Sequence, residues 1–200
     1  ARITDIPQAQ RSEYLMYRLI VVGFSAGGIE PMQRLLAGLS ADYPLPLAVV
    51  AHLPPGTGAS FGAIFNTGRS LPLAFAYDKQ PIRAGAAWLA PADYHLLIEN
   101  TGHFALSVDL PVNYVRPSID VLFESAAASY GSRLIAVTLS GANSDGAKGM
   151  ARVKECGGMT IALDRRHTDY TVLTDAVMQG VNVDYCVAID EIVTLLRAVH

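Results

Sequence analysis

The sequence is poor in charge and has no long apolar run. Only 16% of its 200 residues are charged, against roughly 25% in an average soluble domain, and the net charge of -3 is spread without blocks of one sign. No apolar stretch reaches the roughly 18 residues of a membrane span, and no signal-type segment opens the chain. We therefore expect a cytoplasmic protein without membrane insertion, and without a nucleic-acid partner, because nucleic-acid binders usually carry a basic patch.

Cysteine is also scarce. The two cysteines, Cys156 and Cys186, lie in apolar surroundings and do not form a CxxC pair. This spacing predicts two reduced, buried thiols rather than a disulfide or a metal site. No other motif requires a metal or an organic cofactor, and we expect neither.

Hydrophobic residues, by contrast, make up 51% of the chain and include five short, continuously apolar runs. Runs of this kind are typical of strands that are covered on both faces of a parallel sheet. Residues 1–17 lack the pattern and are predicted to be a linker or N-terminal arm, whereas residues 18–200 are predicted to form one domain. The runs are LIVV at 19–22, LAVVAH at 47–52, LIAVTL at 134–139, MTIAL at 159–163 and YCVAI at 185–189.

Helical patterns alternate with these runs, which predicts an α/β fold: a doubly wound, mostly parallel sheet with helices on both faces. Residues 86–108 differ. There the runs AWLA with HLLIE, and then FALSV, flank a turn at Asn100-Thr101-Gly102 and predict an antiparallel hairpin at one edge of the sheet. The helical patterns lie at about 28–39, 59–67, 118–130, 146–156, 173–180 and 190–199.

Three reactive side chains follow predicted strands. Ser25 ends the first strand, His52 ends the second, and Asp145 lies in the loop SGANSDG after LIAVTL. In open parallel sheets, ligands bind beyond the carboxyl ends of the strands, and adjacent strands lie about 4.8 Å apart. A hydroxyl, an imidazole and a carboxylate are therefore expected to share one edge of the sheet.

This combination suits nucleophilic catalysis. Ser25 needs a base to take its proton, and neutral histidine performs that task near neutral pH. Asp145 would orient His52 and stabilise its imidazolium. The turns at 26–28 and 141–143 offer backbone N–H donors for an oxyanion at Ala26 and Ala142, with Asn143 as a neighbouring substrate-binding candidate.

Each residue also has a plainer interpretation. GFSAGG could be a dinucleotide fingerprint, but Ser25 stands where a glycine is needed, and His52 replaces the expected acid. The stretch also matches the nucleophile elbow GxSxG, although hydrolases with that motif have the order Ser, acid, His. Asp145 alone fits a helix N-cap. Their shared edge favours the catalytic interpretation.

Two further residues are secondary candidates. His95 begins a predicted hairpin strand and could border the site or make a structural hydrogen bond. Arg116 precedes the helix start Pro117-Ser118 and could face a substrate.

Taken together, these stretches resemble the catalytic domain of CheB-type chemotaxis methylesterases over about residues 18–198. The stretches that carry the resemblance are GFSAGG, AVVAHLPPGTGASF, AGAAWLAPADYHL, RPSIDVLFESAA, LSGANSDGAKGM, GGMTIALD and VDYCVAIDEI. The family's catalytic serine, histidine and aspartate fall on Ser25, His52 and Asp145. The resemblance implies hydrolysis of γ-glutamyl methyl esters on chemoreceptor helices, with release of methanol, and in many members deamidation of receptor glutamine. It also implies a receiver domain, for which the first 17 residues are too short.

The chain departs from the family around the predicted site. Ala26 replaces the usual threonine, residues 51–54 read AHLP instead of QHMP, and residues 140–143 read SGAN instead of TGMG. The loop at 164–174 lacks the usual GMP ending. Two alternatives therefore remain: a non-catalytic binding module of the same fold, or a hydrolase of another ester.

Overall fold

The computed structural model describes residues 17–52, 61, 64–65 and 70–199. Within these residues, the strands are β1 Leu19–Phe24, β2 Leu47–Ala51, β3 Leu73–Phe75, β4 Ala87–Leu89, β5 His95–Ile98, β6 Phe104–Ser107, β7 Leu134–Thr138, β8 Met159–Leu163 and β9 Tyr185–Val187. Seven of these strands are parallel and form the central sheet, in the order β3-β4-β2-β1-β7-β8-β9, and the two antiparallel strands β5 and β6 form a separate small sheet.

The central strands are apolar because both of their faces are covered. In β1, Ile20 and Val22 pack into one hydrophobic core, whereas Leu19 and Val21 pack into a second core on the opposite face. All six residues of β1 are buried. A strand enclosed in this way has no polar face, which explains the continuous apolar runs.

Among the described residues, five α-helices cover the two faces of the sheet. They are α1 Ile29–Gly38, α2 Ile119–Tyr130, α3 Ala147–Glu155, α4 Val172–Gly180 and α5 Ile189–Ala198. The helices α1 and α5 pack on the first core, through residues such as Met32 and Ile192. The helices α2, α3 and α4 pack on the second, through residues such as Leu122, Met150 and Val177.

The chain leaves the sheet toward opposite faces after β1 and after β7. The helix that follows β1 is α1, on the first face, and the helix that follows β7 is α3, on the second. Since β1 and β7 are neighbours in the sheet, the direction in which the chain leaves the sheet reverses between them, at the carboxyl ends of the strands. Ligand sites of doubly wound sheets lie at such a point.

The predicted fold class is confirmed, with one difference of detail. AWL does not belong to the hairpin, because β4 pairs with β2 and β3 in the parallel sheet. The chain turns at residues 91–94, where Asp93 has a φ of 64°, and only then enters β5. The hairpin is therefore a second sheet that packs on α2, and not an edge of the first.

Other predictions have mixed outcomes. The strand β3 was not predicted, because its run is only three residues long. The predicted arm at 1–17 and the predicted helix at 59–67 lie almost wholly outside the described residues. Both cysteines are free thiols, as predicted, but each is only half-buried. In the described part of the chain, no helix has the length and hydrophobicity to cross a membrane.

Candidate active site

Ser25 is the first residue after β1 and opens the turn to α1. Its backbone N–H donates to the carbonyl of Ser140 (2.8 Å), and its carbonyl accepts from the N–H of Gly28 (3.0 Å). Its side chain is half-buried, and among the described residues Oγ has no hydrogen-bond partner. The backbone of Ser25 is thus fixed by two hydrogen bonds, while its side-chain oxygen is not engaged by any described residue.

His52 lies beside this turn because β2 is the neighbour of β1. Phe24 is in register with Ala51, and the N–H of His52 donates to the Phe24 carbonyl (3.0 Å). The side chain of His52 is 9% exposed. The structure therefore brings the residues after β1 and β2 to the same edge of the sheet.

Asp145 binds the imidazole directly. Nε2 of His52 lies 2.9 Å from Oδ2 of Asp145. A carboxylate accepts a hydrogen bond, so in neutral His52 the proton sits on Nε2 and the lone pair on Nδ1. Nδ1 is therefore the nitrogen that can take a proton, and the amide Nδ2 of Asn143 lies 3.5 Å from it.

The carboxylate of Asp145 is completely buried and is held by several donors. Oδ1 accepts from Oγ of Ser118 (2.7 Å) and Nδ2 of Asn113 (2.9 Å), and Oδ2 accepts from the N–H of Ile119 (2.6 Å). Burial alone would raise the pKa of Asp145, but the hydrogen bonds from His52 and these donors outweigh it and lower the pKa. Asp145 is therefore ionised and can stabilise a positive charge on the ring.

A second buried carboxylate, Asp120, lies behind Asp145. Its Oδ1 accepts from the N–H groups of Gly146 (2.9 Å) and Gly149 (2.7 Å), and its Oδ2 accepts from Nδ2 of Asn113 (2.9 Å). Burial, and secondly the charge of Asp145, raise the pKa of Asp120. Sequence analysis missed both Asp120 and Asn113, although RPSID was recognised as a helix start.

A cleft of about 290 Å³ opens beside His52. Arg116 reaches it and donates from Nη1 to the carbonyls of Val108 (2.8 Å) and Asp109 (3.0 Å), so that it also fixes the loop before α2. The ring of Tyr114 is fully exposed. The residues that line the cleft are His52, Asp93, Pro111, Tyr114, Val115, Arg116 and Pro117.

His95 has a structural position. It is 2% exposed, and its Nδ1 accepts from the N–H of Ser118 (3.2 Å) while Nε2 lies 3.1 Å from the Leu110 carbonyl. Because Ser118 in turn donates to Asp145, His95 supports the start of α2 through the N–H of Ser118.

The candidate oxyanion donors lie in the two turns that flank Ser25. Among the described residues, the N–H groups of Ala26 and Ala142 have no hydrogen-bond acceptor, whereas the N–H of Gly141 donates to the Tyr170 carbonyl (3.2 Å). Gly141 packs against Ser25: a Cβ added there would lie 3.4 Å from the Cβ of Ser25. The two turns are therefore in contact, and both candidate N–H groups remain unused within this part of the chain.

The described residues contain no cluster of three or more His, Cys, Asp or Glu side chains that could hold a metal ion. The groups that the described residues bring to this edge of the sheet are the Ser25 hydroxyl, an imidazole bound to a carboxylate, and two backbone N–H groups without acceptors in this part of the chain.

Comparisons with known proteins point to one family. The family model for CheB methylesterase matches residues 20–196. A relative from Leptospira interrogans is 36% identical over 179 residues, which are 90% of this chain and 93% of that protein. A relative from Symbiobacterium thermophilum, named protein-glutamate methylesterase/protein-glutamine glutaminase, is 40% identical over 147 residues, which are 74% of this chain but 41% of that protein. The crystal structure of the Thermotoga maritima CheB methylesterase catalytic domain has a TM-score of 0.85 and 31% identity, covering 90% of this chain and 97% of that one.

Proposed function

The chain belongs to the CheB methylesterase family, and from this premise we propose that it hydrolyses glutamate γ-methyl esters on the cytoplasmic helices of chemoreceptors, and deamidates receptor glutamine, with Ser25 as nucleophile. The observation that carries the proposal is the 2.9 Å hydrogen bond between His52 and Asp145, at the edge of the sheet where Ser25 follows β1. The names of the relatives, which carry both activities, support the substrate class.

The first step forms an acyl-enzyme. Oγ of Ser25 attacks the ester carbonyl carbon, and Nδ1 of His52 takes the hydroxyl proton. The buried carboxylate of Asp145 stabilises the resulting imidazolium. When the tetrahedral intermediate collapses, the imidazolium returns this proton to the leaving methoxide, and methanol departs. For a glutamine substrate the leaving group is ammonia.

The second step releases the product. Water attacks the acyl carbon while His52 accepts its proton, and the proton then passes to Oγ of Ser25, which leaves as a hydroxyl. The receptor side chain departs as a glutamate carboxylate. In both steps the N–H groups of Ala26 and Ala142 would hold the oxyanion, a contribution of roughly 10²–10³ in kcat for each such donor. Asn143, whose Nδ2 lies 3.5 Å from Nδ1 of His52, would contact the group that leaves.

The site differs from the most familiar serine hydrolases in the histidine ring nitrogen that acts as the base. In the Ser-His-Asp triad of serine proteases, Nδ1 faces the acid and Nε2 faces the serine. Here Nε2 faces Asp145. The base is therefore Nδ1, the ring nitrogen nearer the backbone, which is consistent with a histidine placed directly at a strand end beside Ser25.

Regulation by a receiver domain, which the resemblance implies, stays a prediction. The chain spans less than half of the Symbiobacterium relative but nearly all of the Leptospira relative, so the family contains both longer and shorter members.

The test measures methanol released from a methylated chemoreceptor cytoplasmic fragment by the wild type, by Ser25→Ala and by Ser129→Ala. Ser129 is a matched control, because its half-buried hydroxyl donates to the Ile98 carbonyl far from the site. We expect Ser25→Ala to lose about three powers of ten or more in rate and the control to keep the wild-type rate. Wild-type turnover that persists in Ser25→Ala would refute the mechanism. A wild type that cleaves a small ester but not the receptor fragment would refute the substrate, and a wild type inert toward both would indicate a binding module.

A further inference from the structure

Ser140 is a fully buried polar residue that the mechanism above does not use. It is the second residue after β7 and lies beside the turn that carries Ser25. Its Oγ lies 2.6 Å from the carbonyl oxygen of Ala26, 2.6 Å from Oγ1 of Thr168 and 3.3 Å from the carbonyl oxygen of Tyr170. One hydroxyl thus joins the turn after β1 to the loop after β8.

The direction of these hydrogen bonds follows from the chemistry of the groups. A carbonyl oxygen only accepts, so Ser140 donates its single proton to Ala26, the nearer carbonyl. Thr168 must then donate to Oγ of Ser140, and Oγ1 of Thr168 accepts in turn from the N–H of Tyr170 (3.1 Å). The result is a one-way chain of hydrogen bonds from Tyr170 to Ala26. Hydrogen bonds in such a chain polarise and strengthen one another.

The end of this chain is the residue that carries the candidate oxyanion donor. The carbonyl and the N–H of Ala26 flank the same Cα, so a fixed carbonyl restricts the orientation of the N–H. The backbone of Ser140 adds a second restraint, because its carbonyl accepts from the N–H of Ser25 (2.8 Å). Ser140 therefore holds both the nucleophile and the residue that follows it.

The next residue, Gly27, is restricted both by its backbone conformation and by its neighbours. Gly27 has a φ of 75°, and a Cβ added there would lie 2.7 Å from Oγ of Ser140 and 2.7 Å from the ring of Tyr170. The loop after β8 is thus packed directly onto the turn, and the chain of hydrogen bonds is the polar part of that contact.

We propose that Ser140, supported by Thr168, is a positioning residue that orients the Ala26 N–H for binding of the oxyanion. This rests on the proposed esterase function. Its consequence is kinetic: the oxyanion forms only in the transition state, so a misoriented N–H lowers kcat and leaves KM unchanged.

The test compares Ser140→Ala with Ser125→Ala, Thr168→Val and Thr168→Ser. Ser125 is the matched control, because its hydroxyl also binds backbone groups but lies on α2. Thr168→Val removes the hydroxyl at nearly constant shape, and Thr168→Ser keeps it. Since complete loss of an oxyanion donor costs about 10²–10³ in kcat, we expect about a 10-fold decrease for Ser140→Ala, a smaller decrease for Thr168→Val, and wild-type values for Ser125→Ala and Thr168→Ser.

Amide hydrogen exchange supplies a readout that does not depend on turnover. In Ser140→Ala, the exchange of the Ser25 and Gly28 amides, whose N–H groups are hydrogen-bonded in this turn, should accelerate, whereas Ser125→Ala should leave it unchanged. A Ser140→Ala variant with wild-type kcat and unchanged exchange would overturn the proposal, as would a raised KM at constant kcat. If the wild type hydrolyses no ester, the proposed function fails, and the exchange result alone then decides whether Ser140 holds the turn.

Discussion

The replacement Gly27→Ala tests how tightly the turn beside Ser25 is held. Gly27 has a φ of 75°, where an L residue is strained, and Gly102 in the β5–β6 turn has the same φ of 75°. They differ in their surroundings: a Cβ at Gly102 would meet nothing within 4 Å, whereas at Gly27 it would meet Ser140 and Tyr170 at 2.7 Å each. Gly102→Ala is therefore a control for backbone strain alone.

The expected magnitudes follow from these contacts. Left-handed backbone costs a non-glycine residue roughly 1–2 kcal/mol, partly offset by about 0.4–1 kcal/mol from the stiffer unfolded chain, so Gly102→Ala should destabilise by about 1 kcal/mol. Both terms apply equally to Gly27→Ala. The clash with the buried Ser140 hydroxyl adds about 1–3 kcal/mol, since the exposed Tyr170 ring can move but Ser140 cannot. We expect about 3 kcal/mol in total.

The measurement is urea unfolding followed by the fluorescence of Trp88, the single tryptophan. Gly27→Ala should have the lower midpoint of the two variants at an unchanged m-value, and should also lose ester hydrolysis, whereas Gly102→Ala should keep it. Equal destabilisation in the two variants would refute the inference that Ser140 is held rigidly against the turn.

The remaining predictions concern the buried carboxylates. Asp145→Asn should lower kcat by about 10⁴, because an amide does not stabilise the imidazolium of His52; single-turnover hydrolysis measures this. Folding lowers the pKa of Asp145, so its hydrogen bonds stabilise the protein fully at a pH above the unfolded value of 3.8. This stabilisation is lost as the pH falls through the folded pKa. The urea midpoint should therefore fall more steeply between pH 6 and pH 3 in the wild type than in Asp145→Asn. Asn113→Ala removes a donor shared by Asp145 and Asp120 and should cost about 1–3 kcal/mol in thermal unfolding, whereas an unchanged Tm would show that the bridge contributes nothing.

The parallel sheet could be predicted because strands that are buried on both faces are recognisable from their apolar residues. Leu19–Phe24 and Leu134–Thr138 are enclosed on both faces, so every position is apolar or small and the pattern stands out. The strand Leu73–Phe75 could not be found this way, because three residues show no period. AWL was assigned to the hairpin because partner choice depends on a turn at 91–94 that no local pattern specifies.

The candidate site was predicted only in part, for a related reason. Ser25, His52 and Asp145 follow strands, and strand ends converge by the geometry of the sheet. Asn113 instead reaches Asp145 from an irregular loop in which its own φ is 51°. The partners of Ser140 come from another loop, after β8. Such contacts depend on the loop conformation, which the strand and helix periodicities leave undetermined.

The central claim is that Ser25 is a nucleophile activated by His52 and Asp145. The most direct test treats the protein with a fluorophosphonate and locates the adduct by mass spectrometry, with His52→Ala as the comparison. The account predicts one adduct, on Ser25 Oγ, formed at least about a hundredfold more slowly in His52→Ala, because general-base help contributes roughly 10²–10⁴. Undiminished receptor hydrolysis by protein whose Ser25 is fully labelled, or equal labelling rates in the two proteins, would contradict it.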